Sequence, residues 1–220
     1  IINLNKSNLY YVQHGGSYGF VNEPLHKIER ESCKKMYYWG VGKHNCFPTK
    51  FPIEEEINKF KIIYIVLSFH ASDSEIKNHV KLAEKMSSNF DYKIYVITHP
   101  IKIIKFKSRF LKKGISFDET RKAGLIIFDD HFHSLIYARI MAGGPFLILE
   151  SSRNYGKGIF PTGKKFMLML DKITISEKKC LSIYRQILQK DDQYANVFSE
   201  LKLLILSHPK INETFKVNLI

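Results

Sequence analysis

Cysteine is scarce and the familiar catalytic loops are missing. The chain carries only three cysteines, Cys33, Cys46 and Cys180, spaced neither as zinc ligands nor as a redox pair, a usage that fits a reduced cytosol. No apolar run approaches the length of a membrane-spanning helix, and no basic, apolar, small-residue signal segment is present. The chain has no GxxxxGK[ST] loop, no GxGxxG after a strand and no HExxH helix. It has no G-x-S-x-G elbow either. No His/Asp/Glu cluster shows convincing ligand spacing, so no metal is expected. No helix-turn-helix, zinc finger or aromatic-basic RNA motif appears, which argues against nucleic acid as a partner. Internal repeats and low-complexity tracts are also lacking.

What remains is an ordinary globular composition, 45% apolar and 25% charged over 220 residues, enough for one large domain or one and a half small ones. The formal charge of +13 is the exception. Such a balance fits an anionic substrate, an anionic membrane or nucleic acid. Lys102, Lys105, Lys107, Arg109, Lys112 and Lys113 crowd one segment without an acid between them. For any single lysine a solvated face is the simplest account. A peripheral enzyme near anionic lipid, or one acting on a nucleotide-linked donor, accounts for the sign as well.

The chain is organised around Leu125–Glu150, LIIFDDHFHSLIYARIMAGGPFLILE. Leu125–Phe128 is a short apolar run suited to a sheet buried on both faces. Asp129 and Asp130 break it and suit a turn or an N-cap. Phe132, Leu135, Ile136 and Ile140 then recur at helical spacing. Gly143-Gly144 can supply the positive φ that ends a helix, Pro145 prevents its continuation, and Phe146–Leu149 restarts as a strand. So short a strand-helix-strand unit is a right-handed parallel crossover. Its functional point is the turn Asp129–Ser134, because open α/β sheets bind ligands at the carboxyl ends of their strands. Helix-start amides there, with the Ser134 hydroxyl, can hold a phosphate. The plainer reading is one βαβ unit with Asp and Ser as caps.

Elsewhere Asn8–Gln13 reads as a strand entering His14-Gly15-Gly16-Ser17-Tyr18-Gly19, where paired glycines permit a sharp turn or close approach to a ligand. Glu23–Glu31 is polar and helical in pattern, Met36–Gly40 is an aromatic strand, and Lys43–Glu56 is a connector broken by Pro48 and Pro52. Lys61–Leu67 and Tyr92–Thr98 read as buried strands around an amphipathic helix, Ser74–Phe90. The first ends in the loop Ser68–Ser72 and the second in His99-Pro100. Gly114–Thr120 is expected to be a strand or loop, and Glu150–Gly163 a long loop whose Arg153 and Lys157, with the following Lys164, can reach phosphate. Phe166–Leu170 is read as a strand. Glu177–Gln189 and Gln193–Leu206 are read as helices.

The pattern D-x(3–4)-S at Asp129/Asp130 to Ser134, followed by a helix and GGPFLIL, resembles the donor-nucleotide domain of GT-B glycosyltransferases. The order Q-H-G-G-x-Y-G at Gln13–Gly19, an acidic helix, then Y-x-W-G at Tyr37–Gly40, resembles bacterial surface-carbohydrate transferases. Those are related to polysialyltransferases, capsule Kdo transferases and CDP-glycerol glycerophosphotransferases. The resemblance implies an α/β, Rossmann-like parallel sheet with flanking helices, the C-terminal donor lobe of a GT-B fold, over 61–220. Residues 1–60 would then be a cleft-edge segment and connector.

It further implies transfer of a sugar or sugar/glycerol-phosphate unit from a nucleotide-activated donor to a surface glycan or lipid-linked precursor. His14 would act as base, with Gly15 and Gly16 shaping its loop. His99, Asp129, His133 and Ser134 would surround the donor. Asp129-Asp130 is not the D-x-D of metal-dependent GT-A enzymes, so the transfer is expected to be metal-independent and without cofactor. The expected location is the cytoplasm, with peripheral contact at the inner face of the membrane as a further expectation. A non-catalytic α/β module holding a nucleotide or anion is the alternative; a charge-driven nucleic-acid or membrane-surface binder is a weaker one. Because the chain starts at Ile1, close to a strand and with few residues before Lys61, it is expected to be incomplete as an enzyme.

Overall fold

The computed structural model describes residues 10–12, 28–29, 31–33, 35–37, 61–150, 161–188 and 192–206. Two short strands, β1 (Tyr10–Val12) and β2 (Lys35–Tyr37), pair in parallel; the first lies within the expected strand Asn8–Gln13, and the second overlaps the expected Met36–Gly40 at Met36 and Tyr37. Ile28, Glu29, Glu31 and Ser32 are helical. Of the expected site residues, His14, Gly15 and Gly16 lie outside the described residues, as do Arg153 and Lys157 and the connector 43–56.

From Lys61 onward a single parallel sheet forms. Its strands are β3 (Ile62–Val66), β4 (Lys93–Thr98), β5 (Leu111–Lys113), β6 (Leu125–Phe128), β7 (Phe146–Leu149) and β8 (Thr174–Ile175). Spatial order is β5-β4-β3-β6-β7-β8, and every pairing is parallel. β6 and β7 are buried at every position, which is what a sheet covered on both faces demands of its strands. The chain builds outward from β3 in one direction, then returns and builds outward from β6 in the other. Right-handed crossovers therefore put the helices of the two halves on opposite faces. This is a Rossmann-like α/β fold.

The helices are α1 (Asp73–Asn89), α2 (Phe117–Lys122), α3 (Ser134–Met141), α4 (Pro161–Asp171), α5 (Glu177–Leu188) and α6 (Asp192–Leu206). α1 turns Ile76, Val80, Ala83 and Met86 into the core, the face its 3.6-residue periodicity predicts. α5 crosses near its end, where Phe90 and Tyr92 meet Tyr184 edge-on. On the other side α3 touches α2 and α6, and α6 touches α4. Tyr137 of α3 stacks on Phe166 of α4, and Phe146 of β7 packs on Phe198 of α6.

Two expectations fail in instructive ways. Phe166–Leu170 is not a strand but the core of α4: Phe166, Met167, Met169 and Leu170 are buried while Lys164, Lys165 and Leu168 are exposed. That is a helical stripe, and a Met/Leu run without β-branched residues favours it. The helix begins at Pro161, inside the expected loop 150–163. Gly114–Thr120 likewise leads into α2, announced by a capping box in which Ser116 accepts from the Glu119 amide and Glu119 from the Ser116 amide. Glu119 also pairs with Lys112 of edge strand β5; that pairing, with the Ser116 bonds, holds its carboxyl down at about 2.

Arg139, on α3, is wholly buried without a carboxylate partner among the described residues. Nη1 donates to the carbonyls of Thr120 (2.9 Å) and Arg121 (3.4 Å), Nη2 to Ala123 (2.8 Å) and Nε to Pro145 (3.2 Å). Three of the four, those of Thr120, Arg121 and Ala123, sit at the C-terminal end of α2, the negative end of its dipole. Burial lowers the guanidinium pKa to about 9, which still leaves it charged at neutral pH. Gly143 takes the positive φ expected of the helix stop, at 70°. Gly144 serves another purpose: a Cβ there would lie 2.2 Å from Arg139 Cζ.

Arg139→Ala should therefore cost at least about 1–3 kcal/mol, the penalty for leaving a buried acceptor unsatisfied, since several carbonyls lose their donor at once. Gly144→Ala should destabilise by displacing the same guanidinium. In urea denaturation the glycine change should cost at least about 1 kcal/mol less once Arg139 is already alanine. Additive losses would show that Gly144 does not exist for Arg139.

Candidate functional site

Between β3 and β6 the strand order reverses, so the loops leaving their carboxyl ends diverge and open a crevice. Ligands of open α/β sheets bind at this place. The residues gathered here come from the turn after β6 and the loop after β3. Asp129 extends the ladder by one residue, its amide donating to the Val66 carbonyl (3.2 Å). Its carboxylate is 7% exposed and fully engaged. Oδ1 accepts the Ser68 amide at 2.8 Å, and Oδ2 the Ser68 hydroxyl at 3.2 Å. His133 Nε2 lies 2.7 Å from Oδ1. Since a carboxylate only accepts, the imidazole donates, and its other nitrogen remains for a further partner. Phe128 supports the His133 ring, the two centroids 5.2 Å apart. One buried carboxylate thus ties both crevice walls together and orients a histidine.

The turn is shaped by its second aspartate. Asp130 Oδ1 accepts the Phe132 amide at 3.0 Å, a local bond that bends the chain from strand towards helix. The helix opens at Ser134 with His133 as N-cap, and here the helix starts differ. α1 and α2 each have a complete Ser–Glu capping box, at Ser72/Glu75 and Ser116/Glu119. α3 has no side-chain cap, because the His133 ring turns back to Asp129. The Ile136 amide is met by the His133 carbonyl (3.1 Å), so the amides of Ser134 and Leu135 precede the first intrahelical bond, beside the Ser134 hydroxyl.

The neighbouring strand β4 brings His99 to the same edge. Its ring meets Phe69 edge-on at 5.2 Å, and Phe69 in turn meets His70 at 5.5 Å. Phe69, His70 and His99 are exposed. Asp129, His133 and Ser134 therefore come together as expected, with His99 on the rim. Ser68 and Phe69 were legible only as part of a strand-end loop. His131, next in the turn, faces away from the crevice strands: Nε2 lies 3.0 Å from Thr174 Oγ1 and 3.4 Å from Asp171 Oδ1. No group of three or more potential metal ligands occurs among the described residues.

No family model matches the chain, and no curated protein matches it in sequence. Solved structures match in chain path. The glycotransferase of kitacinnamycin aligns with a TM-score of 0.49 and 9% identity, over 80% of this chain and 51% of its own. The glycosyltransferase SnogD from Streptomyces nogalater aligns with a TM-score of 0.49 and 8% identity, over 92% and 65%. TarM aligns with a TM-score of 0.47 and 14% identity, over 94% and 49%. The chain spans between about half and two thirds of those proteins. At such identities the likeness is one of fold and assigns neither residue nor reaction.

Two outcomes test the turn. Asp129→Asn keeps the shape but sets an amide donor among donors, and should cost about 1.5–3 kcal/mol, the worth of hydrogen bonds to a charged group. An unchanged denaturation midpoint would mean that the clamp contributes nothing. For His131, burial is the largest influence and lowers its pKa below the usual value, while Asp171 and Asp130 pull the other way. The unfolded chain then binds the proton more tightly than the native one, so this stability is complete above about pH 6.5 and is lost as pH falls through the lower native value. The melting temperature should drop between about pH 7 and 5, and His131→Gln should flatten part of that slope. Identical slopes would exclude His131 as a source.

Proposed function

We propose that the crevice at the carboxyl ends of β3 and β6 holds the phosphates of a nucleotide-activated donor, in a GT-B-type transferase. The protein then moves a sugar or sugar/glycerol-phosphate unit to a surface glycan or its lipid-linked precursor. The observation that carries this reading is the uncapped start of α3 at the point where strand order reverses. Two other helix starts of the same sheet are closed by capping boxes; this one is left open while its capping residue is diverted to a buried carboxylate.

In this reading the chemistry follows from where charge develops. As the donor's glycosyl–phosphate bond breaks, the leaving phosphate gains negative charge. The first amides of α3 and the Ser134 hydroxyl are set to receive it without reorganising, and Asp129 fixes the His133 ring beside them. Asp129 acts through position, its oxygens already occupied by Ser68 and His133. His99, on the rim, is the outer donor contact. His14, in QHGGSYG with Gly15 and Gly16, takes the acceptor's proton, a role suited to a residue whose ordinary pKa lies near neutrality. The motif resemblance supports that assignment, and the transfer is metal-independent.

The experiment is calorimetry of this chain with CMP, CDP, UDP and GDP, paired with transfer by the complete enzyme. Ser134→Ala should weaken the preferred nucleotide by about fivefold or more, the loss of one hydrogen bond to a charged partner. His14→Ala should leave that affinity and the melting temperature unchanged but cut transfer by about two to four orders of magnitude. Equal nucleotide affinity with and without the Ser134 hydroxyl would reduce Ser134 to a helix-start residue. Nucleotide binding with transfer untouched by His14→Ala would remove His14 from the mechanism.

A further inference from the structure

The connection from β4 to β5 contains no helix. It runs as an irregular segment over residues 99–110, and its exposure alternates. Ile101, Ile103, Lys105, Lys107 and Arg109 are exposed, whereas Lys102, Ile104, Phe106 and Ser108 are half-buried and Phe110 is buried. Turns bound the segment, the Lys102 amide donating to the His99 carbonyl (2.9 Å) and the Leu111 amide to the Ser108 carbonyl (3.2 Å), so the alternation is one of exposure along the chain. The exposed positions therefore read as two isoleucines followed by three cations, over at most about 29 Å of chain. The isoleucines are 71% and 79% exposed, while Phe106 beneath them packs on the core. The apolar tip is thus not for want of a core to join.

Beside the cationic half lies an open groove of about 680 Å³ between this segment and α1. Lys77 and Lys81 of α1 line it together with Lys107 and Arg109, against a single carboxylate, Glu84. Lys77 Nζ sits 5.4 Å from the Phe106 ring centre and Arg109 Cζ 4.8 Å from that of Phe110. Both aromatic rings are used from beneath to support cations that point outward. None of Ser68, Asp129 or His133 lines the groove.

We infer that this face docks on an anionic lipid bilayer, Ile101 and Ile103 entering the headgroup boundary while Lys77, Lys81, Lys105, Lys107 and Arg109 engage lipid phosphates. Four to eight clustered cations beside inserting apolar side chains is the composition that holds a protein at such a surface. Nucleic acid accounts for the cations but gives two exposed aliphatic side chains nothing to pack on. Single-strand binders present aromatic faces to bases, and here both phenylalanines of the segment are turned inward. The inference does not depend on the donor site. It makes the carboxyl edge of β4, where His99 stands, the part of the sheet that lies near the membrane.

The test is co-sedimentation of the full chain with phosphatidylcholine vesicles, with and without about 30 mol % phosphatidylglycerol. Binding should require the anionic lipid and fall at least tenfold when salt is raised to about 0.5 M, where screening shortens to a few ångströms. Lys105→Ala/Lys107→Ala/Arg109→Ala should lose about a hundredfold, taking about fivefold for each cation. Ile101→Ser/Ile103→Ser should lose more than about tenfold at unchanged net charge. These side chains are exposed, so both variants should melt as the parent does. Equal binding to neutral vesicles, or full binding by the isoleucine variant, overturns the inference. So does polyuridylate displacing the protein from vesicles with an affinity that the isoleucine changes leave intact, since that identifies a nucleic-acid face.

Discussion

A charged guanidinium cannot sit in the interior without acceptors, and at Arg139 the acceptors are all main-chain carbonyls. They come from two places, the end of α2 and the first turn into β7. Because those carbonyls must converge on one planar group, the β5-α2-β6 and α3-β7 segments can adopt only one mutual placement. Gly144 records the same constraint from the other side, since any side chain there would occupy the guanidinium's volume. Arg139 belongs to the helix whose opposite end faces the crevice. Its bonds therefore fix, about one and a half turns away, where the first amides of α3 point.

At that opposite end a second buried charge applies the same logic with opposite sign. Asp129 collects an amide, a hydroxyl and an imidazole, so the buried carboxylate is satisfied by hydrogen bonds from both crevice walls. Both charged residues are held by fixed dipoles, and neither depends on a flexible lysine for its place. Lysines appear instead on edges and outward rows, where water solvates them at little cost. At Lys112 and Lys113 they also blunt the unpaired side of β5. The high positive charge is thus largely separate from the interior that sets the fold.

Much of this was legible from pattern. Leu125–Phe128 and Phe146–Leu149 are apolar throughout because a central parallel strand has no solvent face, and the Gly-Gly-Pro stop bounded α3 correctly. The two-residue β8 was missed, and a five-residue Met/Leu-rich run was assigned to a strand in its place. Short continuous apolar segments carry no period, and only helix propensity distinguishes them. α2 was obscured by length, although Ser116 and Glu119 stood three apart in a capping pattern. Of the crevice, the turn residues followed from their place after a strand. Ser68 did not, because its partner lies 61 residues away and nothing local marks a contact of that span. Arg139 was invisible for a related reason: an arginine in a helical stripe reads as an exposed position, and its burial is decided by carbonyls elsewhere.

The absent cap on α3 is best understood as stability left unused. An aspartate, serine or asparagine at position 133 would close the helix start for about 1 kcal/mol, and this chain makes that choice with serine at both Ser72 and Ser116. At 133 it has histidine, whose ring is committed to Asp129 and cannot reach the helix amides as well. An ordinary helix placed by packing alone has no reason to forgo its cap. A helix start reserved for an anion does, since a capping oxygen would occupy the place of the ligand and repel it. The departure falls where strand order reverses, the position at which the sheet itself opens a crevice. Local chemistry and global topology thus select the same few atoms from independent directions.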